Sequence, residues 1–491
     1  MKTMFLKKKK IVDEVIEKLY RSPDLTRRRI ERNGQKISLL FLKNLVNPTQ
    51  LQQSVLQSIQ NIELPLTAAT IAKTIPIGQV HICQDVDIIT AHLIEGWVYV
   101  CVEQEQNGVL LNVSEKVERS LEKAETESLV FGPKISFTES LSTNIRILRN
   151  NVNDEQLVTE EMIIGKRNKL PVRIVYIQDI ADPDNVQTVK QRLSELDVDD
   201  VTDSSVLAQM LDDHSFSIFP QYLMTELPDR LSYSLLKGRI GILVDRSPTV
   251  IICPTTFFSF FETTEDIYLR WTMSTVLRVM RMLGILTSIF LSPIYVAVIT
   301  YHYELIPSDL LLTIGESRSR VPFPPVLEAL LLEFMIELLR EAGARLPTKV
   351  GQTMGIVGGI VLGQAAVDAG FTSNLLIIIV SLSALGSFTA PSYEMGTAIR
   401  ILRFPIIILA AMWGLIGIII GICVLIVHLL KLTSLGRPYL SPIYPFRFAD
   451  LKYSLVRLPQ QFYYKRPISN RVQNKYRFSW KDSKKRKDLD E

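Results

Sequence analysis

Cysteine is scarce, with Cys83, Cys101, Cys253 and Cys423 the four among 491 residues. No two share the short spacing of a zinc knuckle or a redox pair, so neither a disulfide framework nor a cysteine-held metal is expected. Histidine is almost as rare, at five. His81-Ile82-Cys83-Gln84-Asp85 contains potential ligands, but strand-like alternation accounts for them and no metal is assigned. The start has no apolar run. Lys7 to Lys10 lead into the charged, helix-like stretch Ile11 to Tyr20, which argues against a secretory signal and predicts a cytoplasmic N-terminal region. GxxxxGK(S/T), HExxH and GxSxG are also missing, so no catalytic residue and no cofactor is assigned, and the expectation is a protein that is not an enzyme.

What is present divides the chain. An apolar fraction of 47% alongside 22% charged residues is too oily for a wholly soluble protein and too charged for a wholly embedded one. The reading is an α/β soluble N-terminal region of two subdomains followed by an α-helical transmembrane bundle. Residues 1–120 form a first cytoplasmic subdomain and 121–248 a second, separated by the polar stretch around Glu115, Lys116, Glu118 and Arg119. Residues 249–282 read as an interfacial connector, 283–431 as the transmembrane helical domain and 432–491 as a basic cytoplasmic tail.

In the soluble part, Ile37–Val46, Trp97–Val102 and Val172–Ile177 read as strands. A short helix through Leu93 and Ile94 stops at Gly96, Asn144–Asn151 reads as helix, and another follows the Asp182-Pro183-Asp184 turn. Arg239–Val244 and Thr249–Cys253 predict a hairpin around Asp245-Arg246-Ser247-Pro248. Phe257, Phe258, Phe260 and Phe261 suggest an aromatic cluster at a bilayer interface. Arg270, Arg278 and Arg281 share a helix face that either meets solvent or contacts lipid headgroups.

Apolar spans are expected at about 283–301, 351–367, 375–390 and 404–430; a crossing helix needs about 20 residues, so the last is long and the middle two short. Between the first two lies a helix opening at Pro324-Pro325 that carries Glu328, Glu333, Glu337 and Glu341. The last three form one stripe, and Glu328 sits in the first turn, where the helix dipole accounts for it. If the helix crosses, one carboxylate stripe per copy lines a cation pore in an oligomer; if it lies flat, the stripe faces solvent, with Arg340 as a partner. Crossing also requires one later segment to be re-entrant if the basic tail is to stay cytoplasmic. Gly351, Gly355, Gly359 and Gly363 form a small-xxx-small ridge for close packing with another helix of this chain or of a second copy. The basic tail suits anionic lipid more simply than nucleic acid, so membrane lipid is expected as a partner and nucleic acid is not.

Several ordered blocks carry a resemblance. Gly132-Pro133 with Phe137-Thr138-Glu139, then Asn144 and Arg149, resembles the GPxxxFTE signature of the GerA spore germination family. Leu227-Pro228-Asp229, Gly238-Arg239-Ile240 and Val244-Asp245-Arg246-Ser247-Pro248 continue it. So do Glu337-Leu338-Leu339-Arg340-Glu341-Ala342-Gly343, Gly355-Ile356-Val357-Gly358-Gly359 and Ser387-Phe388-Thr389-Ala390-Pro391-Ser392-Tyr393-Glu394. Phe131 stands where that family commonly has arginine. The resemblance implies the A subunit of a nutrient germinant receptor, multi-pass in the spore inner membrane. It further implies a transporter-like B subunit and a lipoprotein C subunit as partners, and a homo-oligomer acting as a ligand-gated cation channel. A secondary transporter and a non-conducting signalling subunit are the alternatives.

Overall fold

The computed structural model describes residues 11–19, 24–32, 35–62, 66–102, 105, 107–114, 127, 131–345, 359, 363–454 and 456–479. The chain divides into two units. One contains residues 1–212, 222–254 and 461–491; the other contains 213–221 and 255–460.

The first unit is built on two five-stranded sheets. The first comprises β1 (Leu25–Arg32), β2 (Gln35–Leu42), β3 (Val80–Cys83), β4 (Trp97–Val102) and β5 (Gly108–Asn112). The second comprises β6 (Leu157–Ile164), β7 (Leu170–Ile177), β8 (Leu223–Thr225), β9 (Ile240–Val244) and β10 (Val250–Cys253). Their strand orders are β1-β2-β4-β5-β3 and β6-β7-β9-β10-β8, antiparallel throughout. The two orders are one topology used twice: a hairpin, helices, an edge strand, a helix and a second hairpin. In both copies the helix before the second hairpin, Val86–Ile94 or Pro228–Leu236, ends at a glycine with positive φ, Gly96 (89°) or Gly238 (86°). That left-handed position is open to glycine and strained for other residues.

The predicted strands and helices of this region are present, with a few residues' adjustment. The helix after Asp182 starts at Pro183, capped by the Asp182 carboxylate. The hairpin is β9 with β10, and Arg246 takes a φ of 64° in its turn. Because β10 completes the second sheet, the α/β region runs to Pro254 and not to residue 248. The split near 115–125 lies outside the described residues. The tail also differs from a free basic segment. Arg466 donates to the Leu236 carbonyl at 3.0 Å and Asn470 to that of Lys237 at 2.8 Å, while Val472 packs against Gly238.

The second unit is helical, with α1 (Trp271–Tyr301), α2 (Ser308–Arg318), α3 (Pro325–Arg345), α4 (Asn374–Ser387) and α5 (Tyr393–Lys431). By length and composition α1 and α5 could each cross a membrane. A straight rod of α5's length would reach roughly 58 Å, about twice a hydrocarbon core. It is not straight. Gly414 breaks it with φ 60° and ψ −138°, and the second arm folds back on the first. Gly417 lies on the Leu409 carbonyl, and a Cβ at Gly421 would sit 3.4 Å from Ile406. No side chain fits at Gly417, which is how two arms pack at backbone distance.

α3 is a full member of this bundle. Glu328 bonds to Thr372 and Ser373 at the start of α4, Glu333 to Ser292 of α1 and Arg340 to Ser387 at the end of α4, so α3 runs the length of its neighbours and does not lie across their ends. Close contact between helices also occurs at Gly284 of α1 and Gly386 of α4, where a Cβ on Gly386 would strike the Gly284 carbonyl.

Candidate functional site

The helical unit buries a charged seam between α3 and the first arm of α5. α3 starts at Pro325, whose missing N–H is harmless in a first turn. One face of it carries Glu333, Glu337 and Arg340; the facing arm carries Arg400 and Arg403. Ion pairs at such depth are costly to leave unmatched, so the pattern of partners decides what each charge does.

Glu333 is fully buried and Arg403 is 1% exposed. One Glu333 oxygen accepts from Arg403 Nη1 and the other from Ser292 Oγ at 2.7 Å. Arg403 also gives Nε to the Ser288 carbonyl and Nη2 to Ser288 Oγ, both at 2.7 Å. The guanidinium is thereby committed in three directions. Ser288 and Ser292, one turn apart on α1, form the polar wall behind the pair.

One turn further along, Glu337 lies 3.3 Å from Arg400 and 3.5 Å from Arg340. Arg340 donates to Ser387 Oγ at 2.9 Å and stacks on the Phe388 ring at 4.3 Å. Glu341, a turn beyond, is exposed and bonds only to Arg345 on its own helix at 2.9 Å, among the contacts described. Of the three stripe carboxylates, then, Glu333 faces the interior of its own chain, Glu337 is half-buried, and Glu341 reaches the surface. Arg400 and Arg403 stand just before the apolar run at 404–430, and their i, i+3 spacing opposite the acidic stripe was the available signal.

Glu328 needs a correction. It is not merely a first-turn carboxylate facing the dipole but is buried, accepting from the Ser373 amide at 2.5 Å and from Thr372 Oγ1 at 3.0 Å. Arg318 stands 3.5 Å away and also reaches the Tyr295 hydroxyl at 3.3 Å. The glycine ridge is only partly visible. Gly351 and Gly355 lie outside the described residues, and a Cβ at Gly359 or Gly363 would meet nothing within 4 Å among those described.

The aromatic cluster before α1 and the arginines in its first turns are both drawn inward. Phe258, Phe260 and Phe261 are buried, with Phe257 and Phe260 packed around Tyr439, so they form a core and not an exposed belt. Arg278 and Arg281 face neither solvent nor lipid: both bind Asp266, Arg278 at 2.8 Å, and Arg281 also donates to the Phe261 carbonyl. Burial alone pushes the Asp266 carboxyl up, but the two guanidiniums outweigh it and hold it below the usual range.

In the α/β unit the motif residues build a strap. Gly132 (φ 111°) and Pro133 are exposed, Phe137 is buried, and its amide bonds the Glu226 carbonyl at 2.8 Å. Thr138 exchanges hydrogen bonds with Asn144, and the Glu139 carbonyl accepts from Arg246 in the hairpin turn at 2.8 Å. Arg149 pairs with Asp24 at 2.9 Å, both side chains buried. Asp229 accepts from Asn151 at 3.1 Å, and Arg239 is buried at the start of the hairpin. These contacts position the neighbouring elements. Among the described residues no three His, Cys, Asp or Glu side chains are grouped to hold a metal.

A family model described as "Bacillus/Clostridium GerA spore germination protein" matches residues 13–469. The chain is 42% identical over 481 residues to spore germination protein GerQA of Bacillus cereus, spanning 98% of this chain and 96% of that one. It is 36% identical over 438 residues to "Uncharacterized membrane protein YfkQ" of Bacillus subtilis (strain 168), spanning 89% of this chain and 85% of that one. The solved N-terminal domain of the A subunit of the Bacillus megaterium spore germinant receptor GerK3 aligns with a TM-score of 0.40 at 26% identity, over 50% of this chain and 94% of that one.

Proposed function

The chain belongs to the GerA family of spore germination proteins, and we propose that it is the A subunit of a nutrient germinant receptor, seated in the spore inner membrane. Its helical unit crosses the bilayer several times and its α/β unit is cytoplasmic. Four features support that seat: the length and apolarity of α1 and α5, the exposed apolar residues along them, the hairpin at Gly414, and a relative named as a membrane protein. The hairpin supplies the extra pass that lets α3 cross while the chain leaves on the side it entered. Segments before and after the helices belong to one α/β unit, as that topology requires.

B and C subunits complete the receptor, and copies of the A subunit assemble into a ligand-gated cation channel. The observation that carries the conducting role is the buried seam of Glu333, Glu337, Arg400 and Arg403 between α3 and α5. Ionisable groups in such surroundings face each other or water. In the closed state they face each other; movement of α3 against α5 turns the carboxylates to a water-filled path. The chain performs no bond-making chemistry in this scheme. A germinant bound on a partner shifts the two populations through contacts that differ between them.

The test is cation flux from liposomes holding the assembled receptor. Germinant-dependent potassium release that falls several-fold in Glu337→Gln, at equal protein and equal assembly, supports the channel. No release in wild type, with all subunits present and germinant bound, would falsify it.

A further inference from the structure

Two exposed aromatic loops sit at the end of the bundle where α1 begins and α5 ends. The first, residues 213–221, interrupts the α/β unit yet belongs to the helical one. It is firmly built. The Gln221 side-chain amide bonds both the amide and the carbonyl of His214, at 3.0 and 2.8 Å. Ser217 Oγ lies 3.0 Å from His428 Nε2 in the last turn of α5, Phe219 is buried, and Asp213 accepts from the Gly436 amide at 2.8 Å. At the tip of this stapled turn Phe216 is fully exposed (104%), with Ile218 beside it at 42%.

The second loop follows Tyr439, which is buried and donates to the Pro220 carbonyl at 2.7 Å, so the two loops adjoin. It holds Tyr444, Phe446 and Phe448, which are 57%, 70% and 78% exposed, with Arg447 among them. A rigid turn that aims phenylalanine outward gains nothing in water, where exposed apolar patches mark an interaction surface.

The partner follows from continuity. The first loop meets the last turn of α5 through Ser217 and His428, and that arm of α5 exposes Ile419, Ile420, Val424 and Val427. Exposed aromatic rings with Arg447 between Phe446 and Phe448, at the end of lipid-facing helices, match the headgroup boundary of a bilayer. We infer that loops 213–221 and 440–448 form a lipid-docking foot that inserts Phe216, Tyr444, Phe446 and Phe448 into the bilayer interface. This rests on the membrane seat proposed above, and it fixes how deep the bundle sits. Rings lying in an interface sit about 5–10 Å into the headgroup and acyl boundary.

The full chain in nanodiscs of phosphatidylglycerol and phosphatidylethanolamine tests it by spin labelling. The native Cys423 on α5, labelled in a Cys83→Ala background, reports the membrane seat. Phe216→Cys and Phe446→Cys, each in a Cys83→Ala/Cys423→Ala background, report the foot, and Ile163→Cys in the same background reports water. The expected result is oxygen accessibility at 216 and 446 approaching that at 423, with a several-fold loss of nickel-chelate accessibility relative to 163. Nickel-chelate accessibility at 216 and 446 equal to that at 163, while 423 lies in lipid, overturns the inference. Shielding of 216 and 446 from both reagents also overturns it, in favour of a protein partner. Nickel-chelate access at 423 itself removes the membrane seat and the foot with it.

Discussion

Arg403 and Glu333 meet across two helices with neither side chain more than 1% exposed, and Arg403 also holds Ser288 by carbonyl and hydroxyl. The pair thus joins α1, α3 and α5 at one point. Removing one member of such a pair strands the other charge, at about 3–5 kcal/mol, whereas replacing both with apolar residues can be neutral or stabilising.

The first prediction is therefore non-additive. Glu333→Leu and Arg403→Met each lower the thermal midpoint of detergent-solubilised protein, and the double variant recovers most of the loss. If the pair also holds the closed state, the double variant loses gating in the flux assay while keeping its melt. Additive losses in the melt would show that the two residues act independently.

The reversal at Gly414 gives a second prediction by distance alone. Ile406→Cys and Gly421→Cys, in a chain with Cys423→Ala, form a disulfide under mild oxidation because the arms touch there. In a continuous helix those positions would be roughly 22 Å apart and could not bond. Gly414→Ala should reduce the yield, because φ 60° with ψ −138° costs a side-chain-bearing residue about 1–3 kcal/mol, and His302 occupies the space beside it. Mass spectrometry of the oxidised peptide reads both outcomes.

Which of these features the residues announced depends on the range of the physics involved. The α/β strands and helices follow from alternation and caps, as at Asp182 and Gly96, so local pattern was enough. The duplication of the two sheets left only a helix, a glycine and a strand in common, at Gly96 and Gly238, which is too little to see as a repeat. The hairpin in α5 was hidden because an unbroken apolar run reads the same whether it continues or turns back, and one glycine decides it. The acidic stripe was legible, but its partners Arg400 and Arg403 lie about 65 residues away. Pairing at that separation is a tertiary fact. The buried role of Phe258, Phe260 and Phe261 was missed for the same reason, since Tyr439 comes from the far side of the helices.

Asp266 supplies a pH prediction. Its carboxyl titrates below the ordinary value near 3.9 because Arg278 and Arg281 outweigh the effect of burial. A depressed carboxylate contributes stability that is complete above the unfolded value and lost as pH falls through the folded one. The protection of residues 255–282 against hydrogen exchange, taken relative to the intrinsic rate at each pH, should therefore stay constant from pH 7 to about 4 and fall only in stronger acid. Asp266→Asn should show the lowered protection already at pH 7, since two guanidiniums then share a neutral partner. Similar exchange in both proteins at pH 7 would leave the Asp266 cluster without a stabilising role.

Cys253 titrates in the opposite direction. Lying at the end of β10 with no exposure, its thiol is pushed up to about 12 by burial, against a weaker downward pull from Arg192 and Arg239. The thiol form is favoured in the fold, and the unfolded chain gives up its proton near 8.5. Between those values the unfolded state binds fewer protons, so Cys253 makes stability fall as pH rises from about 8.5 towards 12. Cys253→Ala removes that slope but leaves a small cavity. The variant should be less stable than wild type at pH 7 and should lose less between pH 8 and pH 10, read from urea midpoints of the α/β unit's transition in the full chain. Maleimide chemistry gives an independent check. Cys253 should remain unlabelled at pH 8 in the folded protein while Cys83, which is partly exposed, reacts, and both should react once urea opens the sheet. Labelling of Cys253 at a rate like that of Cys83 before unfolding would mean that β10 opens on its own, and the second sheet would then be a moving part.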